Sequence, residues 1–204
     1  MSKTIVLATR NANKTRELAG RLASAGVRVI DLSHFPEMGE TEETGASFDE
    51  NALVKARAAA KFTGLPAVAD DSGLCVDALG GGPGIFSARF ADDWECLPGE
   101  TRDQRNTRKL LHELRGKKNR KARYHASIAG ALPDGSETVV QGEWEGEILL
   151  EPRGSNGFGY DPVFFDPLAG KTAAEMSAEE KTSRSHRGKA LNALLGILPE
   201  FLKD

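Results

Sequence analysis

The hydrophobic and polar positions in the first part of the chain follow an alternation of strands and helices. Residues 4–8 form a continuous apolar run after a polar start, which predicts a short buried strand. A helix is expected over residues 14–25, because its leucines lie four residues apart on one face. The next apolar run, residues 27–32, predicts a second strand. Strand, helix and strand in this order indicate an α/β protein.

Three more helices are predicted from sequences that cap helix ends. The stretches Ser47–Glu50 and Thr101–Gln104 are capping boxes, with a hydroxyl residue at the first position and Glu or Gln three residues later. The helices that follow them are expected to run to about Thr63 and Leu114. Ser185 is expected to cap a last helix, which is predicted to stop at Pro199 because proline lacks the N–H that a helix needs.

The middle of the chain carries strand patterns. Residues 67–69 predict a short strand that ends at the pair Asp70–Asp71, and residues 74–76 are expected to continue as extended chain. Residues 123–132 and 138–144 flank a Pro-Asp-Gly-Ser turn sequence and predict an antiparallel hairpin. A further strand is expected at residues 147–150. No repeat or linker separates the 204 residues, so residues 1–204 are expected to form a single domain.

Composition and charge exclude several classes of protein. The chain has 27 Lys and Arg against 30 Asp and Glu, a net charge of −3, whereas dedicated nucleic-acid-binding proteins carry a basic excess. No apolar run reaches the ~18 residues of a membrane helix. The two cysteines, Cys75 and Cys96, have no metal-binding spacing. These features favour a cytoplasmic, reduced protein that does not act on membranes or nucleic acids.

Candidate chemistry begins with the adjacent carboxylates Asp70 and Asp71. Because successive side chains of a strand point to opposite faces, only one of the two is expected to face a given ligand. The other would orient the first or hold a backbone donor. Carboxylates at the carboxyl end of a strand are common metal ligands or catalytic acids in α/β proteins. The alternative is a simple turn, since Asp, Ser and Gly are all frequent turn residues.

Two loops offer partners for these carboxylates. Glu42 and Glu43 precede a predicted helix and are candidates to share Mg²⁺ with Asp71, since Mg²⁺ prefers oxygen ligands. The loop Thr9–Lys14 joins a strand to a helix, where backbone N–H groups and the helix dipole favour phosphate. The alternatives are a solvated acidic loop and plain helix capping by Asn11 or Asn13.

Two later segments are candidates to recognise an aromatic base. Phe158 stands between two glycines, so its ring is free to stack on a nucleobase; the alternative is a core Phe at a tight turn. His186 and Arg187 lie at a predicted helix start and offer donors to a carbonyl or phosphate oxygen, although a lone His is more often structural.

The order of these segments resembles the inosine/xanthosine triphosphate pyrophosphatase family. The resemblance covers essentially the whole chain and rests on five segments in order: Thr9–Lys14, Glu42–Gly45, Ala69–Leu74, Gly157–Pro162 and Ser185–Gly188. The sequence departs from the family pattern at residues 91–100, which look longer. It also carries Arg10 where many members have Gly, and this side chain is expected to point outward or to assist phosphate binding.

The resemblance implies a fold, a reaction and an assembly. The fold would be α/β, with two lobes around a long mixed sheet, flanking helices and an active site in the central cleft. The enzyme would hydrolyse ITP, dITP and XTP to the monophosphate and pyrophosphate, which keeps deaminated purines out of DNA and RNA. It would depend on Mg²⁺ and act as a homodimer.

The resemblance also implies residue roles. Asp71 would be the catalytic base, supported by Asp70, and would hold Mg²⁺ together with Glu42. Substrate would be bound by two sets of residues, one in the first half of the chain and one in the second: Thr9, Asn11, Asn13, Lys14, Lys55 and Ser72, and then Phe158, Gly159, Tyr160, Asp161, Lys181, His186 and Arg187. Donors from His186 and Arg187 would accept a 6-oxo group and leave a 6-amino group facing unpaired donors, which costs ~1–3 kcal/mol each.

Three other functions remain open at this stage. The first is the same reaction on another nucleotide, such as a pyrimidine triphosphate. The second is a nucleotide sensor without turnover, against which the presence of Lys14, Glu42 and both aspartates argues. The third is nucleic-acid binding through the basic stretch 115–123, against which the net charge argues.

Overall fold

The computed structural model describes residues 3–203, apart from the side chains of Ala12 and Asn13. Within this part of the chain seven strands form one mixed sheet: β1 (Thr4–Leu7), β2 (Arg28–Asp31), β3 (Ala67–Val76), β4 (Lys121–Ala131), β5 (Glu137–Ile148), β6 (Phe164–Asp166) and β7 (Lys171–Thr172). Their order in the sheet is β2-β1-β3-β4-β5-β6-β7. Strand β1 pairs in parallel with β2 and β3, whereas β6 pairs antiparallel with β5 and β7. The predicted α/β class with a mixed sheet is confirmed.

Helices connect and flank these strands. Over the same residues they are α1 (Ala12–Ser24), α2 (Phe48–Thr63), α3 (Arg102–Glu113), α4 (Ala178–Arg184) and α5 (His186–Phe201). Ser47 caps α2 as predicted, but Glu50 accepts from the Ala46 N–H, so the capping box there is only half formed. The box of Thr101 and Gln104 is complete at the start of α3.

Several predicted boundaries were wrong. Strand β3 does not end at the two aspartates: it continues through them to Val76 and includes the extended residues expected at 74–76, and each carboxylate meets a cationic partner. The strand expected at residues 147–150 is the end of β5. Pro199 lies inside α5, and the helix continues because Leu202 N–H still donates to the Leu198 carbonyl. Proline lacks an N–H and so removes the bond of its own nitrogen, but in the last turn of α5 it does not end the helix.

The chain divides into two compact units. Unit 1 comprises Met1–Asp71, Ala126–Gly142 and Arg187–Asp204; unit 2 comprises Ser72–His125 and Glu143–His186. Strands β3, β4 and β5 contribute residues to both units. The assignment of residues 1–204 to a single domain stays a prediction.

In unit 1 both faces of strand β1 are covered. Ile5 and Leu7 pack in one cluster with leucines of α1 and α5, while Val6 and Ala8 pack in another with the alanines of α2. Burial on both faces is typical of parallel strands with helices on each side. Helices α1 and α5 therefore lie on one face of this sheet region and α2 lies on the other.

The core of unit 2 is built around aromatic side chains. Tyr124, Trp144 and Phe164 are buried together, with ring centroids 4.5–6.3 Å apart. Leu110 of α3 and Leu114, the residue that follows this helix, are fully buried in the same cluster. Among the described residues, no helix is long and apolar enough to cross a membrane.

Candidate active site

The two adjacent aspartates of strand β3 face opposite sides of the sheet. Asp70 shares a face with Val68, which packs in the cluster of α1 and α5, and Asp71 shares a face with Ala69, which packs against α2. Both aspartates belong to unit 1. The alternation of the strand therefore gives each carboxylate a different set of neighbours.

Asp70 is buried between two cations. Its Oδ2 lies 2.6 Å from Lys14 Nζ on α1, and its Oδ1 lies 3.3 Å from Arg187 Nε on α5. A second nitrogen of Arg187 is 2.5 Å from Glu17. Burial by itself raises the pKa of Asp70, but Arg187 and Lys14 outweigh it and hold this pKa well below its usual range. Asp70 is therefore an ionised anchor for two cations.

Asp71 has the opposite character. Its Oδ1 lies 3.0 Å from Lys55 Nζ, and its Oδ2 accepts from Asn51 Nδ2 at 3.4 Å. Burial raises the pKa of Asp71, and the Lys55 charge only partly opposes this. Neighbouring carboxylates whose surroundings push their pKa values apart are a pattern of acid–base catalysis. Of the two, Asp71 has the properties of a general base.

Helix α2 and the acidic loop before it form the other side of the Asp71 surroundings. Glu43 Oε1 lies 2.8 Å from Lys55 Nζ, so Glu43 and Asp71 share one cation. The fully buried Asn51 accepts the Gly45 N–H at 2.8 Å through Oδ1 and thereby joins the loop to Asp71. A Cβ at Gly45 would stand 2.6 Å from Glu50 Cβ, so this close approach requires glycine. Lys55 is the point where these contacts meet.

The carboxylates in this group are also candidate ligands of a metal ion. No group of three or more His, Cys, Asp and Glu within the described residues forms a ready metal cluster. Glu43 and Asp71 nevertheless converge on one cation, the Lys55 ammonium, and exposed Glu42 lies next to Glu43 in the chain. One or two carboxylates plus substrate phosphates are the usual ligands of Mg²⁺, so the donor types present fit this ion.

The loop before α1 combines capping with a positioned lysine. Thr9 Oγ1 accepts from the Asn11 N–H at 3.1 Å, and Asn11 Oδ1 accepts from the Lys14 N–H at 3.3 Å. Asn11 thus caps α1 and places Lys14 beside Asp70. Arg10 donates to the Met38 carbonyl in the loop that follows strand β2. The side chain of Asn13 lies outside the described residues.

In unit 2 a second group of predicted residues gathers around Asp161. The buried Asp161 carboxylate accepts from the Phe158 N–H at 2.9 Å, from Lys181 Nζ at 2.5 Å and from the Tyr124 hydroxyl at 3.2 Å. Lys181 Nζ also lies 4.9 Å from the centre of the Phe158 ring. A Cβ at Gly157, whose φ is 76°, would stand 2.0 Å from Asp161 Oδ2. The structure therefore fixes the half-buried Phe158 at a turn that only glycine permits.

The remaining predicted residues take different positions. The His186 ring stacks on Tyr124 at 4.7 Å in unit 2, whereas its chain neighbour Arg187 pairs with Asp70 in unit 1. Tyr160 is buried and donates its hydroxyl to the Ser87 carbonyl, and the Gly159 N–H donates to Asp103. Ser72 is half-buried and follows Asp71 on β3.

Sequence reasoning missed three residues of these groups. Asn51 lies one turn before Lys55 on α2, and Glu17 lies one turn after Lys14 on α1, so helical spacing from each lysine marks them as neighbours. Tyr124 gave no sequence indication beyond its place in a predicted strand. Helix α4, which carries Lys181, was not predicted either.

The sequence of the chain is similar to those of known proteins. The sequence profile of the Ham1 family matches residues 5–197. The chain belongs to the Ham1 family. It is 56% identical over 200 residues to the dITP/XTP pyrophosphatase of Nitratidesulfovibrio vulgaris, covering 97% of each chain. It is 47% identical to the enzyme of that name from Lactococcus lactis, covering 99% of each.

Solved structures agree with this family assignment. The Ham1 chain superimposes on a HAM1 protein from Coxiella burnetii with a TM-score of 0.87 and 43% identity, covering 97% of this chain and 99% of the other. The Ham1 protein of Staphylococcus aureus gives a TM-score of 0.85 at 39% identity, with the same coverage. The predicted family resemblance and fold class are therefore confirmed.

Proposed function

We propose that this Ham1 protein hydrolyses the deaminated purine nucleoside triphosphates ITP, dITP and XTP to the monophosphate and pyrophosphate. The observation that carries the reaction is the divergence of the two aspartates, one locked in ion pairs and one with a raised pKa beside Lys55. The substrate class follows from two curated relatives that are named dITP/XTP pyrophosphatases and are 56% and 47% identical to this chain. Removal of these nucleotides keeps them out of DNA and RNA.

Asp71 acts as the general base in this proposal. Its carboxylate takes a proton from a water molecule, whose oxygen attacks the α-phosphorus, and pyrophosphate leaves with the electron pair of the cleaved bond. Asp70 supports this role because Lys14 and Arg187 keep it ionised and hold β3 in place. Asn51 fixes the second oxygen of Asp71 from helix α2.

Mg²⁺ is the proposed cofactor. Asp71 and Glu42 or Glu43 would hold it, and when bound it would neutralise charge on the phosphate oxygens. Lys55 already bridges Glu43 and Asp71, which supports a position for positive charge beside these carboxylates. Such a role also suits a chain whose net charge is −3 and whose substrate is strongly anionic.

Phosphate binding and base binding are assigned to different sets of residues. Lys14, Lys55 and the backbone of Thr9 and Asn11 contact phosphates, with Asn13 and Ser72 as further polar contacts and Lys181 as a third cation. Stacking on Phe158 is worth roughly 1–3 kcal/mol by comparison with other base–aromatic contacts. Gly159, Tyr160 and Asp161 form the turn that presents this ring.

His186 and Arg187 are proposed to read the 6-oxo group. His186 is held in a stack with Tyr124. The guanidinium of Arg187 donates to Asp70 and Glu17, so reading a base would require one of its nitrogens to leave these carboxylates. We further propose a cytoplasmic homodimer. Size-exclusion chromatography with light scattering would test the dimer, and a monomeric mass would contradict it.

The experiment that tests the function is pyrophosphate release from ITP, XTP, dITP, GTP, ATP and dTTP, each with and without Mg²⁺. Release from ITP, XTP and dITP that is lost without metal is the expected result. Faster turnover of dTTP would favour the same reaction on another nucleotide. Binding without release would favour a nucleotide sensor.

A further inference from the structure

A large cavity lies within unit 2, along helix α3. Its volume is about 1120 Å³. Its walls are one face of α3, the turn that follows this helix, and the loop at residues 150–162. Ligand pockets in proteins usually measure about 300–1,000 Å³, so this cavity has room for a small organic ligand. We call it the α3 pocket.

The rim of the α3 pocket is basic. Arg115, Lys117 and Arg120 line it, and Asp103 is the acidic residue among its described lining. The Asp103 carboxylate already accepts from the Gly159 N–H at 2.7 Å. Arg115 and Lys117 are exposed and form no ion pair with any residue that the structure describes. A protein of net charge −3 thus concentrates positive charge at one cavity.

Arg120 adds a cation without a counter-ion. Its three guanidinium nitrogens donate to the main-chain carbonyls of Leu114, Ile148 and Leu149. Within residues 3–203 no carboxylate pairs with it, and burial alone lowers its pKa. Arg108, which lines the same pocket, is by contrast neutralised by Glu100 at 2.7 Å. A half-buried guanidinium of this kind gains stability from an anion.

The floor of the α3 pocket is apolar. Its side chains are aliphatic or proline and come from the helix, the turn and the loop: Leu111, Leu114, Leu150, Pro152 and Pro162. Leu150 is 79% exposed, so its side chain is available to a ligand, whereas Leu114 is fully buried. An apolar floor beneath a basic rim matches a ligand with a flat ring at one end and phosphate at the other.

We propose that the α3 pocket binds a nucleoside phosphate at a second site. The phosphates would contact Arg115, Lys117 and Arg120, and the base would lie over Leu111 and Leu150. Phe158, to which base stacking is assigned in the proposed substrate site, lines this pocket together with Gly157 and Gly159, whereas Asp161, Lys181 and His186 do not line it. A half-open pocket of this volume fits a mononucleotide, whereas polymers are bound along extended basic surfaces.

The test is calorimetric titration of the whole chain with ATP in EDTA, where no metal-dependent turnover occurs. The pocket variant Arg115→Ala/Lys117→Ala removes two charges from the rim. Its matched control, Lys118→Ala/Lys121→Ala, removes two exposed charges from the same basic stretch outside the pocket. We expect ATP binding to weaken at least about tenfold in the pocket variant and less than about twofold in the control.

Two further titrations separate this site from others. Lys14→Ala weakens phosphate binding at the proposed substrate site, and ATP should still bind the α3 pocket in this variant. Inorganic triphosphate should bind more weakly than ATP, and Leu150→Ser should reduce this difference, because the apolar floor holds the base.

Several results would overturn the proposal. One is the absence of ATP binding at millimolar concentration, and another is equal weakening in the pocket variant and its control. Loss of binding in Lys14→Ala alone would place the ATP in the substrate site. Tighter binding of a ten-nucleotide single strand than of ATP, weakened by the same pocket variant, would assign the rim to nucleic acid instead.

Discussion

At the scale of single residues, the most informative contrast is between two adjacent and chemically identical side chains. Asp70 is surrounded by Lys14 and Arg187, while Asp71 meets Lys55 and the amide of Asn51. The sequence predicted that the pair would face opposite ways, because strand side chains alternate. It did not predict which partners each would meet, because those come from helices far away in the chain.

This contrast predicts that two matched substitutions will change different properties: Asp70→Asn the stability of the fold and Asp71→Asn the rate of turnover. Asp70→Asn removes the carboxylate that Lys14 contacts and leaves the buried Arg187 with Glu17 alone; removing one partner of a buried ion pair costs about 3–5 kcal/mol. Folding lowers the pKa of Asp70, so its contribution to stability is complete well above the unfolded pKa of about 3.9 and is lost progressively as the pH falls from there through the folded pKa. Asp71→Asn should stay folded but lose about 10²–10⁴-fold in kcat.

Urea denaturation and pyrophosphate release, measured on both variants at pH 7, check this prediction. Asp71→Asn serves as the stability control for Asp70→Asn, since both change one carboxylate to an amide. Equal stabilities would show that Asp70 does not anchor the two cations. Retained turnover in Asp71→Asn would remove it from the role of base.

At the scale of elements, the sequence predicted α1, α2 and α3 to within about two residues, because each has a capping residue or a leucine pattern of its own. The sequence did not predict the strands whose bounds depend on contacts with residues distant in the chain. Strand β3 continues through Asp70 and Asp71, each of which meets a cation, and the two-residue strand β7 depends on pairing with β6. Local patterns do not contain such information.

Helix α2 as a unit is expected to set the pH dependence of catalysis. It presents Asn51 and Lys55, four residues apart, to the face of β3 that carries Asp71. The Lys55 charge lowers the pKa of Asp71 against the effect of burial, so Lys55→Met should raise this pKa further. Because the base must be ionised, the acid limb of kcat should move to higher pH in this variant.

The measurement is kcat for ITP against pH in wild type, in Lys55→Met and in Lys61→Met. Lys61 is an exposed lysine of the same helix, so its substitution controls for lost charge and altered helix propensity. An acid limb that stays at the wild-type pH in Lys55→Met would separate this limb from Asp71. A limb that moves equally in both variants would indicate a general charge effect.

At the scale of the whole molecule, the two units have strands in common. Strands β3, β4 and β5 each contribute residues to both units. The sequence predicted these strands in part, but the division of the chain comes from contacts distant in sequence. This arrangement favours one cooperative unfolding transition for residues of both units.

The two tryptophans make that cooperativity measurable, because Trp94 and Trp144 both belong to unit 2. Leu191→Ala empties a fully buried position in the core of unit 1, which costs about 2–5 kcal/mol. If the units unfold together, the urea midpoint of tryptophan fluorescence should fall as far as that of far-UV circular dichroism. Leu168→Ala, at a position 91% exposed in unit 2, should move neither midpoint. A circular dichroism midpoint that falls while the fluorescence midpoint stays would show that unit 2 keeps its fold after unit 1 is lost.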